Sequence, residues 1–242
     1  MTVLGFVLYG STVLVPLLLQ TLLGYPALQA GIAMLPRGLG SFVMMPVVGF
    51  LMGKIEARRL LGAGILIATF AFWNFSHLNL DVGYWNFFWP LIIQGAAMGF
   101  LFVPLTTITN DPIPNSEMGN ATSLFNLMRN IGGSIGIAVT GTMIARQTRV
   151  VTGTLGEHVS MYDPATQQMF QRMQAAFMAA GADMVTATNR AYAAMFGMLS
   201  RQAAMVSFVS LFQLLGIVFL LLIPLVLLMK RPGHGGPAVG AH

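Results

Sequence analysis

Arg37 is the side chain whose type and position most clearly indicate chemistry. It lies about ten residues into an apolar stretch over residues 28–52, at a depth of roughly 15 Å if that stretch is helical. An arginine at such a depth is costly and normally faces a bundle interior or a water-filled cavity. Two roles stay open. One is a cavity cation that stabilises a gate or meets an anionic ligand group, and the other is a structural cation bound to helix-end carbonyls beside Pro36.

Polar side chains also form a stripe near the start of the apolar stretch 120–145. Asn126, Arg129 and Asn130 are three or four residues apart, so they share one face of a helix. This position favours a structural role in gating over contact with a ligand. Asp111 and Glu117 are candidate ion-pair partners of Arg129. The alternative partners of these two acids, across the cytoplasmic surface, are the loop residues Lys54, Arg58 and Arg59.

Further candidates for lining a cavity are large side chains near mid-depth on the first and fourth apolar stretches. They are Tyr9, Gln94, Met98 and Phe102. Flexible methionines and aromatic faces suit hydrophobic ligands of varied shape.

The sequence lacks the groups that enzymatic chemistry requires. Residues 132–136 match the G-x-S-x-G pattern of a hydrolase nucleophile, which needs a strand-to-helix turn and a nearby histidine base. Here the pattern lies in an apolar run that predicts a helix, and the four histidines stand at a span end, in a loop or in the tail. There are no cysteines, so thiolate metal sites are excluded. We predict neither an enzyme nor a bound cofactor.

The composition is that of a membrane protein. Of 242 residues, 56% are hydrophobic and only 8% are charged, and the mean hydropathy is +0.75. A soluble domain carries roughly 25% charged residues, so this chain cannot cover a globule with polar groups. The net charge of +5 is small, and it gives no support for nucleic acid binding.

Six stretches have about the 20 apolar residues that a membrane-spanning helix needs. They are residues 2–23, 28–52, 60–78, 86–109, 120–145 and 204–229. The fold class predicted is an all-α integral membrane protein with a six-helix bundle. Its parts are five helices in 1–145, an extracytoplasmic helical loop in 146–203, the last span in 204–229 and a cytoplasmic tail in 230–242. The basic loop 53–59 and the C-terminus are expected in the cytoplasm.

The loop 146–203 is predicted to contain two amphipathic helices. Met169, Met173 and Phe177 recur at helical spacing, and Asp163 before a proline is a plausible N-cap. Gly181 is expected to separate the two helices. A soluble cap folded on the bundle is favoured over a partner-binding site.

Several glycine pairs stand four residues apart within the apolar stretches. Such pairs let helix backbones approach closely in lipid. We expect a packing role for all three, which are Gly95 with Gly99, Gly49 with Gly53, and Gly132 with Gly136.

The order of several motifs resembles a known family. The N-terminal signature consists of Tyr9 and residues 15–20, 23–25, 29–31 and 35–38. Residues 49–59 are similar to the cytoplasmic loop motif of the major facilitator superfamily, and 129–136 to a glycine-rich helix start. Together they resemble the second half of its fourteen-helix drug/proton antiporters, the EmrB/QacA group.

The resemblance implies the C-terminal half of a multidrug efflux permease of the bacterial inner membrane. It implies proton antiport without a cofactor, an N-terminal bundle as partner, lipid and small hydrophobic substrates, and a periplasmic adaptor with an outer-membrane duct. In this family the last helix often bears an acid where this chain has Ser210. We therefore expect the coupling acid in the other half, and Met1 to be an internal methionine. The alternative is a non-transporting truncated, assembly or regulatory membrane protein.

Overall fold

The protein is described by a computed structural model that covers residues 2–110, 113–114, 116–158 and 162–228. The described part is helical, which confirms the predicted fold class. Its elements are α1 (Thr2–Thr21), α2 (Ala27–Ala33), α3 (Leu35–Met52), α4 (Ala57–Phe75), α5 (Tyr84–Asn110), α6 (Met118–His158), α7 (Pro164–Ala179) and α8 (Met184–Leu228). The predicted tail 230–242 lies outside the described residues.

Three segments of the described chain are long and apolar enough to cross a membrane. They are Ala27–Met52, Tyr84–Thr109 and Met184–Pro224, and α1 contributes a shorter apolar helix over Gly5–Thr21. The first of these segments is not one continuous helix as predicted, because it is divided at Met34 into α2 and α3. Pro36 stands in the first turn of α3, where a missing backbone N–H costs no hydrogen bond.

The predicted boundaries at residues 146 and 204 are not helix ends. α6 continues to His158 and α8 begins at Met184, so the change in composition occurs within both helices. At 1.5 Å per residue these helices are roughly 60 Å long or more, about twice the thickness of a hydrocarbon core. Their extensions, together with α7, form a unit that we call the hairpin, residues 146–203 without the undescribed 159–161.

The predicted N-cap at Asp163 and the predicted helix connection at Gly181 are both confirmed. Asp163 caps α7, and its carboxylate accepts a hydrogen bond from the Ala165 N–H at 3.4 Å. Gly181 has a φ of +90° and joins α7 to α8, a conformation that favours glycine. α7 packs along α8. The extracytoplasmic location of the hairpin stays a prediction.

The core of the bundle lies where α1, α4, α5 and α8 meet. Phe72 and Phe75 of α4 stack on Phe212 of α8, with centroid distances of 6.5 and 5.1 Å. All three rings are fully buried. α1 packs along α6, and α3 packs along α5. Contacts of Arg37 on α3 with Thr12 on α1 and with Met98 on α5 bring these three helices together.

Two of the three glycine pairs pack as predicted. A Cβ atom at Gly132 or Gly136 would overlap the backbone of α1, and one at Gly95 would overlap the carbonyl group of Arg37. At Gly49 and Gly53 a Cβ would meet no other helix among the described residues, so the predicted packing is not observed there. Spacing alone indicates that a close approach is possible, but it does not say which face of the helix has a neighbour.

Candidate functional site

Arg37 lies in the first turn of α3 and is buried, with 7% of its surface exposed. Its Nη2 donates a hydrogen bond of 2.7 Å to the Thr12 hydroxyl and contacts the Met98 sulfur at 3.3 Å. Both contacts are to side chains of other helices. A purely structural arginine was expected to bind helix-end carbonyls beside Pro36 instead.

A cavity of about 380 Å³ opens beside this guanidinium. We call it the Arg37 cavity. Three of the predicted side chains, Tyr9, Met98 and Phe102, line it together with Arg37, so the structure brings four of the five candidates to one place. The remaining lining consists of Leu8, Thr12, Met34, Gly38 and Ser41. Its surface is apolar apart from one cation and three hydroxyl groups.

Gln94 does not line the Arg37 cavity. It lies on the same helix as Met98 but is buried, with 4% of its surface exposed. Its Oε1 accepts no hydrogen bond from the described residues, which is costly for a buried amide. Its predicted place in the cavity rested on depth along the helix, which does not indicate which way a side chain points.

Arg129 lies next to a second, smaller cavity of about 80 Å³. Its Nη2 donates to the Asn126 Oδ1 at 2.7 Å, as expected for residues on one helix face. Its guanidinium carbon is 5.8 Å from the centroid of the Phe102 ring. Leu8 and Phe102 line both cavities, so they stand between the two arginines. No carboxylate lines either cavity, and this side of the bundle is electropositive.

The predicted ion pairs of Arg129 are not observed. Glu117 and Arg129 form no ion pair in the part of the chain that the structure describes, and Asp111 lies outside that part. Asn130, also predicted for this site, is exposed on α6. Hydrogen bonding to an amide and contact with an aromatic ring therefore replace the expected carboxylate.

The cytoplasmic loop motif lies apart from both cavities. Arg59 pairs with Glu56, with 3.6 Å between Nε and Oε2. The Lys54 Nζ lies 4.6 Å from the centroid of the Phe50 ring. Arg58, the third predicted cation, is half-buried on α4. This loop is positively charged at a helix connection, but the described contacts bring none of these residues to Arg37.

Sequence reasoning missed Thr12, the hydroxyl that holds Arg37. Thr12 is three residues from Tyr9 and hence on the same helix face, which was the available signal. It also missed Asp81, which lies in a crevice of about 330 Å³ together with Ser210. Among the described residues there is no group of three or more histidines and acids that could hold a metal ion.

Comparison with known proteins supports the architecture. A family model for the Major Facilitator Superfamily matches residues 1–137. The chain is 32% identical over 242 residues to the multidrug export protein EmrB of Escherichia coli K12, covering 99% of this chain and 46% of that protein. It is 30% identical over 236 residues to the fatty acid resistance protein FarB of Neisseria gonorrhoeae, covering 97% of this chain and 45% of that protein. The chain thus spans about half the length of these relatives, which fits the resemblance to one half of an EmrB-type transporter.

Proposed function

The chain belongs to the Major Facilitator Superfamily, and from this premise we propose that it forms the C-terminal bundle of a multidrug efflux transporter. Its substrates are hydrophobic compounds, exported across the bacterial inner membrane. The observation that carries the proposal is the Arg37 cavity, where one buried cation faces methionine and aromatic side chains between helices. Transporters of this kind bind substrate near the bilayer midplane, between two rocking halves.

The lining of the cavity supports an amphipathic substrate. Met98, Phe102 and Tyr9 offer polarizable and aromatic surface to an apolar body of varied shape. Arg37 offers N–H donors to an anionic or strongly polar group. One relative is named for fatty acid resistance, and a fatty acid has an apolar chain that ends in a carboxyl group. We propose that compounds with this distribution of polarity are among the substrates.

We propose that proton antiport drives export and that the coupling acid lies in the N-terminal bundle. A proton-coupled transporter needs a titratable group within the membrane. Neither cavity of the described bundle is lined by a carboxylate. The position that resembles an acidic site in the family is Ser210, whose hydroxyl donates to the Val206 carbonyl at 2.9 Å.

We further propose that the loop 53–59 and the C-terminus are cytoplasmic and that the hairpin faces the periplasm. The basic loop supports this orientation. The length of α6 and α8, about twice the thickness of a hydrocarbon core, supports a position of the hairpin outside that core. On that side the hairpin is the surface available to a periplasmic adaptor and, through it, to an outer-membrane duct.

The proposal is tested by replacing Arg37 in a transporter that contains both bundles. Arg37→Ala removes the cation, so efflux of an amphipathic substrate should be abolished while the amount of protein in the membrane stays nearly unchanged. Arg37→Lys should restore efflux only in part, because a compact ammonium group cannot reproduce the planar guanidinium. Arg149→Ala is the control, since Arg149 is exposed on α6, lines neither cavity and lies outside the loop motif 49–59. Full efflux by the alanine variant would contradict the proposal, and no efflux by the unmodified transporter would favour the non-transporting alternative.

A further inference from the structure

The hairpin contains a cleft that is chemically different from the Arg37 cavity. It has a volume of about 480 Å³, and it lies between the end of α6, the start of α7 and the first part of α8. We call it the hairpin cleft. Its lining consists of Gly156, Ala165, Thr166, Met169, Tyr192, Met195, Phe196, Met198 and Leu199. No charged side chain is among them.

Contacts at the edge of the cleft and beyond it join two of its walls, α7 and α8. The Phe170 and Tyr192 rings are 4.6 Å apart and join α7 to α8 beside the cleft. About one helical turn from this ring pair, the Gln174 Nε2 of α7 donates to the Thr188 hydroxyl of α8 at 2.7 Å. Two fully buried alanines of α8, Ala187 and Ala191, belong to this packed part of the hairpin. The walls are therefore fixed by neighbouring contacts and need no occupant to form.

The predicted span ends at 145 and 204 put the cleft outside the membrane core. Gly156 is eleven residues beyond the predicted end of the fifth apolar stretch at 145, a distance of roughly 16 Å along a helix. Leu199 precedes the sixth stretch, which begins at 204, by roughly 8 Å. The cleft is thus a hydrophobic surface on a part of the chain that is otherwise charged and polar.

Its size and lining suit a small molecule. Ligand pockets commonly enclose roughly 300–1,000 Å³ and are lined mainly by apolar and aromatic side chains with few polar groups. Three methionines and two aromatic rings adapt to ligands of different shape, because methionine is flexible and polarizable. The Thr166 and Tyr192 hydroxyls add two hydrogen-bonding groups. The absence of a cation in the lining favours uncharged aromatic compounds over anions.

We propose that the hairpin cleft is a second binding site, which takes uncharged aromatic compounds outside the membrane core. The proposal rests on the proposed export function, because such a site would hold a compound after it has left the Arg37 cavity. The ligand class differs between the two sites. An anionic group, which Arg37 would meet, has no partner in the hairpin cleft, so the cleft takes those exported compounds that are aromatic and uncharged.

Methionine oxidation provides a direct test, because Met169 and Met178 form a matched pair. Both lie on α7 and are about equally exposed, at 42% and 40%, but only Met169 lines the cleft. The full chain in lipid nanodiscs is treated with dilute peroxide, with and without the neutral dye N-phenyl-1-naphthylamine, and each sulfoxide is quantified by mass spectrometry. Saturating dye should slow oxidation of Met169 and Met198 by at least about threefold, since a pocket buries most of a ligand that fills it. Oxidation of Met178 should be unchanged.

Filling the cleft should remove the effect. A Cβ at Gly156 lies 3.8 Å from the Leu199 Cδ2, so Gly156→Leu places its side chain in the cleft. The dye concentration that gives half-maximal protection should then rise about tenfold. Gly153→Leu is the control, because a Cβ there meets nothing within 4 Å. Phe196→Ser, at an exposed position, should weaken protection without a change in folding.

Equal protection of Met169 and Met178, or none, would overturn the inference, and so would protection that Gly156→Leu and Phe196→Ser leave intact. The proposed function does not depend on this outcome, because the Arg37 variants test it separately by efflux. Loss of efflux in Arg37→Ala with no dye protection would leave the proposed function standing and remove only the second site.

Discussion

The guanidinium group of Arg37 and the hydroxyl group of Thr12 lie 2.7 Å apart and join the first turn of α3 to the middle of α1. The hydroxyl also donates to the Leu8 carbonyl at 2.7 Å, so it is a donor and an acceptor at once. Its lone pair is fixed toward the cation by that second bond. Thr12 thereby positions Arg37 at the side of the cavity.

Thr12→Val should therefore lower efflux while preserving the shape of the side chain. A hydrogen bond to a charged group contributes about 1.5–3 kcal/mol, so a reduction of at least about tenfold is expected if the bond is needed during transport. Thr12→Ser keeps the hydroxyl and should stay near the original rate. Initial rates of substrate efflux, normalised to protein in the membrane, make the comparison. Equal rates for valine and serine would show that the bond has no part in transport.

Gly95 and Gly49 should respond oppositely to alanine. Gly95→Ala would push a methyl group into the Arg37 carbonyl and separate α3 from α5, so the folded bundle should lose about 1–3 kcal/mol. Gly49→Ala meets no neighbour and should be neutral or slightly stabilising, because alanine is the better helix former. Thermal unfolding in detergent measures both. A lower midpoint for Gly49→Ala than for Gly95→Ala would contradict the packing described.

The start of α8 should respond to acid through Asp183. The Thr186 side chain and the backbone N–H groups of Thr186 and Val185 donate to this carboxylate and hold its pKa below the ordinary value of 3.8. A lowered pKa means that the cap is fully present above pH 3.8 and is lost as the pH falls through the folded value. The amide resonance of Thr186 should titrate with a midpoint below 3.8, and Asp183→Asn should abolish the titration. A midpoint above 3.8 would contradict the assignment.

The orientation of the hairpin is open to labelling, because this chain has no cysteine. Thr154→Cys, Gln168→Cys and Asn189→Cys, at exposed positions of the three hairpin helices, should react with an impermeant maleimide on whole cells. Lys54→Cys should react only after the cells are opened, since Lys54 is exposed in the loop that we propose to be cytoplasmic. A cysteine at Ala57, in the same region, is unsuitable for labelling because Ala57 is buried. Reaction of Lys54→Cys on whole cells, with no reaction at the hairpin positions, would show that the proposed topology is reversed.

The sequence predicted most of the secondary structure because apolar length and capping signals are local. Asp163 and Gly181 were identified from residue type and neighbouring residues. As expected, Asp163 caps the start of α7 and Gly181 lies between α7 and α8. The predicted boundaries at 146 and 204 do not coincide with helix ends, because α6 and α8 continue through them. A change in composition does not end a helix, because arginine, alanine and methionine are all good helix formers.

The site was predicted less completely than the fold. Arg37 was identified because charge is conspicuous in an apolar stretch, and Tyr9, Met98 and Phe102 by their depth. Depth does not determine direction, so Gln94 was placed in the cavity although it points elsewhere. The partner of Arg37 on another helix depends on tertiary packing, which no local pattern contains.

Occupation of the Arg37 cavity by substrate is the central claim, and protection of a cysteine at Ser41 measures it most directly. Ser41 lines the cavity, and the change to cysteine replaces one atom. In a two-bundle transporter without other cysteines, a transported substrate should slow the reaction of Ser41→Cys with a small thiol reagent and leave Ser123→Cys on α6, outside the cavity, unaffected. Slowing that is confined to Ser41→Cys and lost in Arg37→Ala is the predicted result. An unchanged rate at Ser41→Cys with saturating substrate would contradict the account.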